Sequence, residues 1–194
     1  NVGHVDLQLD PNIDELARLI KERKPDILPV SLKIGAIKQA LKLMNSIRTL
    51  PLTNEERPMV VMGGVLPTFA SYSLLELFPD VVMARGEGES TIEALVRVIQ
   101  GDINLYQVPG IIYLNNIGGV VETEKLSISH RHPPARITTE RIANELGGVV
   151  WAEASRGCDG HCTFCSVGEI HKNGFSAELF PVEGVIDELQ KLSE

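Results

Sequence analysis

The chain has 194 residues, 43% of them hydrophobic, which is ample for a buried core and far from the composition of a disordered segment. Its 18 Lys and Arg against 26 Asp and Glu leave a formal charge of −8 with no dense basic stripe, so a nucleic-acid backbone is disfavoured as a partner. No apolar run reaches the length of a membrane span, no signal-peptide pattern opens the chain, and three clustered cysteines are no disulfide framework; a reducing, cytoplasmic setting is expected.

In chain order, the alternation of Val5, Leu7 and Leu9 with Asp6 and Gln8 predicts a strand over His4–Leu9. Pro11 and Asn12 then open a helix of Ile13–Lys24, with Ile13, Leu16, Leu19 and Ile20 on one face. Ile27–Leu32 reads as a short apolar strand, Gly35–Arg48 as a helix carrying Ile37, Leu41, Met44 and Ile47, and Thr53–Arg57 as a polar loop. Met59–Met62 is a fully apolar strand ended by Gly63-Gly64; a short helix over Ser71–Phe78, a strand over Val81–Ala84 and a helix over Gly88–Gln100 follow. Short apolar strands alternating with helices predict a doubly wound, parallel-sheet α/β domain over residues 1–103. Such sheets take ligands outside the carboxyl ends of their strands. The loops so placed are Ser31–Ile34, Gly63–Thr68 and Arg85–Glu89, all bearing small or polar residues.

Residues 104–147 differ in character: Ile111–Leu114 and Gly119–Thr123 read as a β-hairpin, and the proline-bearing His130–Arg136 as a linker. Residues 148–194 then begin a second domain, with a strand over Val149–Ala154, a cysteine-bearing loop and a helix over Val182–Leu192, one β/α unit in all. The missing initiator Met and the stop at Glu194 within a helical stretch lead us to expect a piece of a longer protein.

The loop spells Cys158-Asp159-Gly160-His161-Cys162-Thr163-Phe164-Cys165 and holds every cysteine of the chain. A structural zinc site takes four protein ligands, and so does an ordinary iron–sulfur cluster. Three thiolates can hold three irons of a [4Fe–4S] cube and leave the fourth open to a small molecule. Gly157 and Gly160 let backbone amides approach the sulfurs, where hydrogen bonds tune potential. Three free thiols, or a Cys3His zinc site completed by His161 or His171, are the competing readings.

The segment from Glu153 to Val167, with its CxxxCxxC spacing and the aromatic Phe164 before the last cysteine, resembles the cluster loop of radical S-adenosylmethionine enzymes. The resemblance implies that Cys158, Cys162 and Cys165 ligate three irons, that S-adenosylmethionine chelates the fourth, and that Phe164 lies against its adenine. Reduction of the sulfonium would release a 5′-deoxyadenosyl radical. Gly3–Leu7, Asp26–Leu32, Val60–Gly64 and Arg85–Glu89 resemble the cobalamin-binding domain that precedes many radical SAM barrels. That likeness implies that Ser31, Leu32, Gly63, Gly64, Arg85, Gly86 and Glu87 surround cobalamin, with small residues allowing close backbone approach to a flat, bulky ligand.

Two departures accompany the resemblance. The DxHxxG segment that supplies a cobalt-ligating histidine is absent, and so is the glycine-rich segment that contacts S-adenosylmethionine after the next barrel strand. Methylthiotransferases fit less well, because their N-terminal domain carries three further cysteines. The resemblance thus implies methyl transfer to an unactivated carbon, or a related radical cyclisation, on a small-molecule substrate with a flavodoxin or ferredoxin as reductant. A module with a decayed cobalamin pocket and a zinc-stabilised structural domain are the alternatives. His4, His130 and His132 read as ordinary surface or strand-edge residues, Trp151 and Ala152 as core, and Glu153 as a residue of open role.

Overall fold

In the computed structural model, residues 12–124, 153–167 and 177–193 are described. Helix α1 (Ile13–Arg23) starts where the Asn12 side chain accepts a hydrogen bond from the Glu15 amide at 3.0 Å, and ends where Lys24 turns left-handed and donates its N–H to Ile20 O at 2.9 Å. Strand β1 (Ile27–Ser31) leads into α2 (Ile37–Thr49), and β2 (Met59–Gly63) into α3 (Val65–Leu77). Strand β3 (Val82–Ala84) is followed by α4 (Glu89–Ile99), a 3-10 turn at Leu105–Gln107, and the strands β4 (Ile111–Leu114) and β5 (Val120–Glu122).

Among the described residues these strands form one sheet in the order β1-β2-β3-β4-β5. The first three pair in parallel, with Ile27 opposite Met59 and Val61 opposite Val82; β4 joins β3 antiparallel, and β5 joins β4 antiparallel. The expected hairpin therefore extends the sheet and is not a separate element after residue 103. One compact unit runs from Asn1 to Leu126 and a second from Ser127 to Glu194.

The predicted alternation of strand and helix produces two cores, one on each face. Leu16 and Ile20 of α1, Leu43, Met44 and Ile47 of α2, and Leu74 and Leu75 of α3 pack with Val60, Met62, Met83 and Ile112. The opposite face buries Val61, Val82 and Ala84 against Leu95 of α4, with Val108 and Ile111 beside them. Runs such as Met59–Met62 and Val81–Ala84 are continuously apolar because both their faces are covered.

Two expectations shift. Helix α3 begins at Val65, six residues ahead of the predicted Ser71, and bends at Ala70 (φ −124°, ψ 23°). The predicted helix corresponds to the part beyond this bend. Pro67 reads as a loop residue, yet the first turn of a helix tolerates proline because its amide needs no helical acceptor there. The polar loop Thr53–Arg57 also has a structural task. The Arg57 guanidinium donates to the carbonyls of Ile47 at 2.8 Å, Leu50 at 3.1 Å and Arg48 at 3.2 Å, closing the carboxyl end of α2.

In the second unit, β6 (Ser155–Gly157) and β7 (Ala177–Leu179) pair antiparallel and α5 (Val182–Ser193) follows. The strand expected over Val149–Ala154 falls largely outside the described residues; Glu153 and Ala154 precede β6 without joining it. The antiparallel ribbon of β6 and β7 beside the cysteine loop is an element that the sequence reading does not foresee. The predicted His4–Leu9 strand, the His130–Arg136 linker and His171 also lie outside the described residues.

Candidate functional site

The carboxyl edge of the parallel strands gathers the three loops named from sequence. The Leu32 amide donates to Gly63 O at 2.8 Å, joining the ends of β1 and β2. Gly64 then adopts φ +105° and ψ −166°, a conformation essentially confined to glycine. A Cβ there would stand 3.4 Å from Leu32 O and 3.6 Å from Ser31 Oγ, so the turn lies directly against the end of β1. Gly63 is different: its φ is not positive, and a Cβ would meet Ala84 Cβ at an ordinary 3.6 Å. Within the glycine pair, only Gly64 is demanded by the backbone.

Thr68, in the first turns of α3, connects the second loop to the third. Its hydroxyl donates to Gly64 O at 2.8 Å and accepts the Gly86 amide at 2.9 Å. Gly86 itself is left-handed at φ +77°, and Gly86 and Glu87 are half-buried. Ser31 is exposed, whereas the Leu32 side chain is buried in the core, so Leu32 offers this edge only its backbone. Arg85 turns elsewhere. Its guanidinium pairs with Glu122 on β5 and donates to Thr123 O at 3.0 Å, and Glu122 also accepts the Tyr72 hydroxyl. Hydrogen bonding to the Glu122 carboxylate raises the Tyr72 pKa above its ordinary value. Arg85 thus ties its loop to the hairpin.

The same edge exposes apolar side chains. Ile34 is 82% exposed, and Val65 and Phe69, one turn apart at the start of α3, are 46% and 45% exposed. Sequence reading places Val65 and Thr68 in the ligand-edge loop Gly63–Thr68 without singling them out, and it misses Phe69, because the helix carrying all three begins earlier than its periodicity indicates. The four-residue spacing of Val65 and Phe69 is the signal that an earlier helix start would have disclosed.

The cysteine loop leaves β6 at Gly157, whose φ of +88° turns the chain out of the strand. Cys158 and Cys162 are exposed, Cys165 is half-buried, and all three are free thiols. The Gly160 amide donates to Cys158 Sγ at 3.3 Å, and a Cβ on Gly160 would stand 3.3 Å from that sulfur and 3.8 Å from Cys162 Sγ. The Cys165 amide donates to Cys162 O at 3.0 Å, a turn that carries Phe164 outward to 91% exposure. Asp159 accepts the Ala177 amide at 2.7 Å, fastening the loop to β7. Glu153, of open role from sequence, accepts Arg156 Nε at 3.1 Å and Nη2 at 2.7 Å. The structure brings Cys158 and Cys162 together around Gly160. Among the described residues it does not gather three His, Cys, Asp or Glu side chains into one metal-binding group.

The family described as the B12 binding domain matches residues 1–96. The 4′-phospho-dehydrooxetanocin synthase of Priestia megaterium is 26% identical over 164 residues, covering 83% of this chain and 22% of the synthase. The solved structure of the cobalamin-dependent S-adenosylmethionine radical enzyme OxsB, with aqua-cobalamin and S-adenosylmethionine bound, matches with a TM-score of 0.79 at 26% identity. That match covers 96% of this chain and 26% of OxsB. Residues 1–96 thus match the B12-binding domain family, and the relatives and structural neighbours of the chain include cobalamin-dependent radical SAM enzymes. The hopanoid C-3 methylase of Methylococcus capsulatus is 28% identical over 200 residues, covering 98% of this chain and 36% of the methylase. The chain thus spans about a fifth to about a third of the length of these two curated relatives. No helix among the described residues is long and apolar enough to cross a membrane.

Proposed function

We propose that this chain carries the cobalamin-binding domain and the cluster-bearing loop of a B12-dependent radical SAM enzyme that transfers a methyl group to an unactivated carbon or performs a related radical reaction. The observation that carries the reading is the pair of sulfurs flanking Gly160 in a CxxxCxxC loop. The side of Gly160 that a Cβ would fill is where Cys158 Sγ and Cys162 Sγ converge, and the Gly160 amide already donates to one of them. An inert cysteine-rich turn needs no such approach; a cluster whose sulfurs accept backbone hydrogen bonds does.

The residues fit each group in a different way. Cys158, Cys162 and Cys165 would hold the [4Fe–4S] cluster, with the exposed Phe164 ring available to the adenine of S-adenosylmethionine. Ser31, the Leu32 backbone, the Gly63-Gly64 turn, Gly86 and Glu87 would border cobalamin, with Ile34, Val65 and Phe69 offering apolar surface to a large flat ligand. When bound, the cluster supplies the electron that splits S-adenosylmethionine, and cobalamin supplies a methyl carrier. The chain's own residues present thiolates, close off backbone amides and offer an apolar wall. The substrate would be a small molecule and the electron source a flavodoxin or ferredoxin.

The test is anaerobic reconstitution of the chain with ferrous iron, sulfide and hydroxocobalamin, followed by gel filtration. Iron and sulfide near four per chain, a brown charge-transfer band and co-eluting corrin absorbance are expected. Retention of zinc without iron would sink the cluster reading, and loss of all corrin on the column would sink the cobalamin reading.

A further inference from the structure

The three loops at the carboxyl edge are joined by one chain of hydrogen bonds. It runs from the Leu32 amide to Gly63 O, through the Gly64 turn to the Thr68 hydroxyl, and on to the Gly86 amide. Thr68 is the only side chain in that chain. It is 9% exposed, its hydroxyl uses its one proton on Gly64 O, and its lone pair takes up the Gly86 amide. The Thr68 amide also donates to Gly64 O, at 3.2 Å, so the residue grips the turn twice and the next loop once.

We infer that Thr68 is a positioning residue for the ligand edge, holding the Gly86-Glu87 loop against the Gly64 turn so that both are in place before a ligand arrives. The inference rests on the proposal that this edge borders cobalamin. The physical reason is preorganisation: a loop already ordered in the free protein loses less freedom on binding. Gly86 is half-exposed and left-handed, so without the Thr68 hydroxyl its amide can turn to water and the loop gains conformers. Thr68 touches no reacting atom in this scheme; it acts through Gly86.

Two substitutions separate this role from simple packing. Thr68→Val keeps the shape and loses the hydroxyl, whereas Thr68→Ser keeps the hydroxyl and loses a methyl group. Hydroxocobalamin affinity of the full chain is measured by equilibrium dialysis, and protection of the Gly86 amide by hydrogen exchange, both where urea titration shows the variants folded. Thr68→Val is expected to weaken binding by about tenfold and deprotect Gly86, with Thr68→Ser staying within about twofold. If Thr68→Val does not fold, Thr68→Ala takes its place. A hydroxyl-free variant that binds within twofold of the unsubstituted chain, or a Ser variant as weak as it, overturns the inference. Absence of cobalamin binding by the unsubstituted chain overturns the proposed function and this inference with it.

Discussion

At the scale of single residues, backbone conformation separates positions that look alike in sequence. Gly63 and Gly64 are adjacent and identical in type, yet only Gly64 occupies a conformation closed to other residues. Gly64→Ala is therefore expected to destabilise the chain by about 1–3 kcal/mol. Gly63→Ala, which meets only ordinary contact with Ala84, should shift the urea midpoint far less. Equal midpoints for the two variants would show that the close approach to Leu32 is not needed. Arg85 carries a similar lesson. Its sequence neighbours Gly86 and Glu87 suggest a ligand loop, but its guanidinium is held by Glu122, 37 residues away. No local pattern in the sequence pairs these two residues; the antiparallel addition of β4 and β5 to the sheet does.

At the scale of elements, the ends of helices decide how firmly the layers are held. Arg57 closes the carboxyl end of α2 through three carbonyls from a partly buried position. Arg57→Ala should lower stability by about 1.5–3 kcal/mol, read as a drop in urea midpoint at unchanged slope. The other tie from α2 is acid-sensitive. Arg48 Nε donates to Asp80 Oδ2 at 2.9 Å, and this hydrogen bond holds the Asp80 pKa below its ordinary value. A depressed carboxyl stabilises the fold above its unfolded pKa, and that stabilisation is lost as pH falls through the folded pKa. Both side chains are substantially exposed, so solvent screening limits the pair to about 0.5 kcal/mol. Arg48→Gln should remove this contribution at neutral pH and leave stability in acid below the Asp80 pKa nearly unchanged. An equal loss at both pH values, measured by urea titration, would argue that Arg48 acts through packing.

At the scale of the whole molecule, the chain divides into a sheet unit and a smaller unit bearing the cysteines. Each carries one candidate cofactor site, and each site is assembled from residues of its own unit. Replacing Cys158, Cys162 and Cys165 together by Ala should abolish iron uptake on reconstitution while leaving hydroxocobalamin binding within about twofold, as expected for independent sites. Both quantities can be read from one sample by iron assay and corrin absorbance. Concerted loss of both would show that the two sites are not independent.

The sequence by itself determined the α/β class, the parallel strands β1 to β3, the helices at α1, α2 and α4, and the cysteine loop. Each of these depends on signals spanning fewer than about twenty residues: a short apolar run, a helical stripe or a fixed spacing of thiols. Tertiary structure decided what those signals leave open. It attached the hairpin to β3 as sheet, started α3 at Val65 through the Gly64 turn, paired Arg85 with Glu122 across the hairpin, and made Thr68 the bridge between two loops. The physical reason is range. Periodicity reports how a segment buries its own face, whereas strand pairing and hydrogen bonds between loops depend on residues that only the folded sheet brings together.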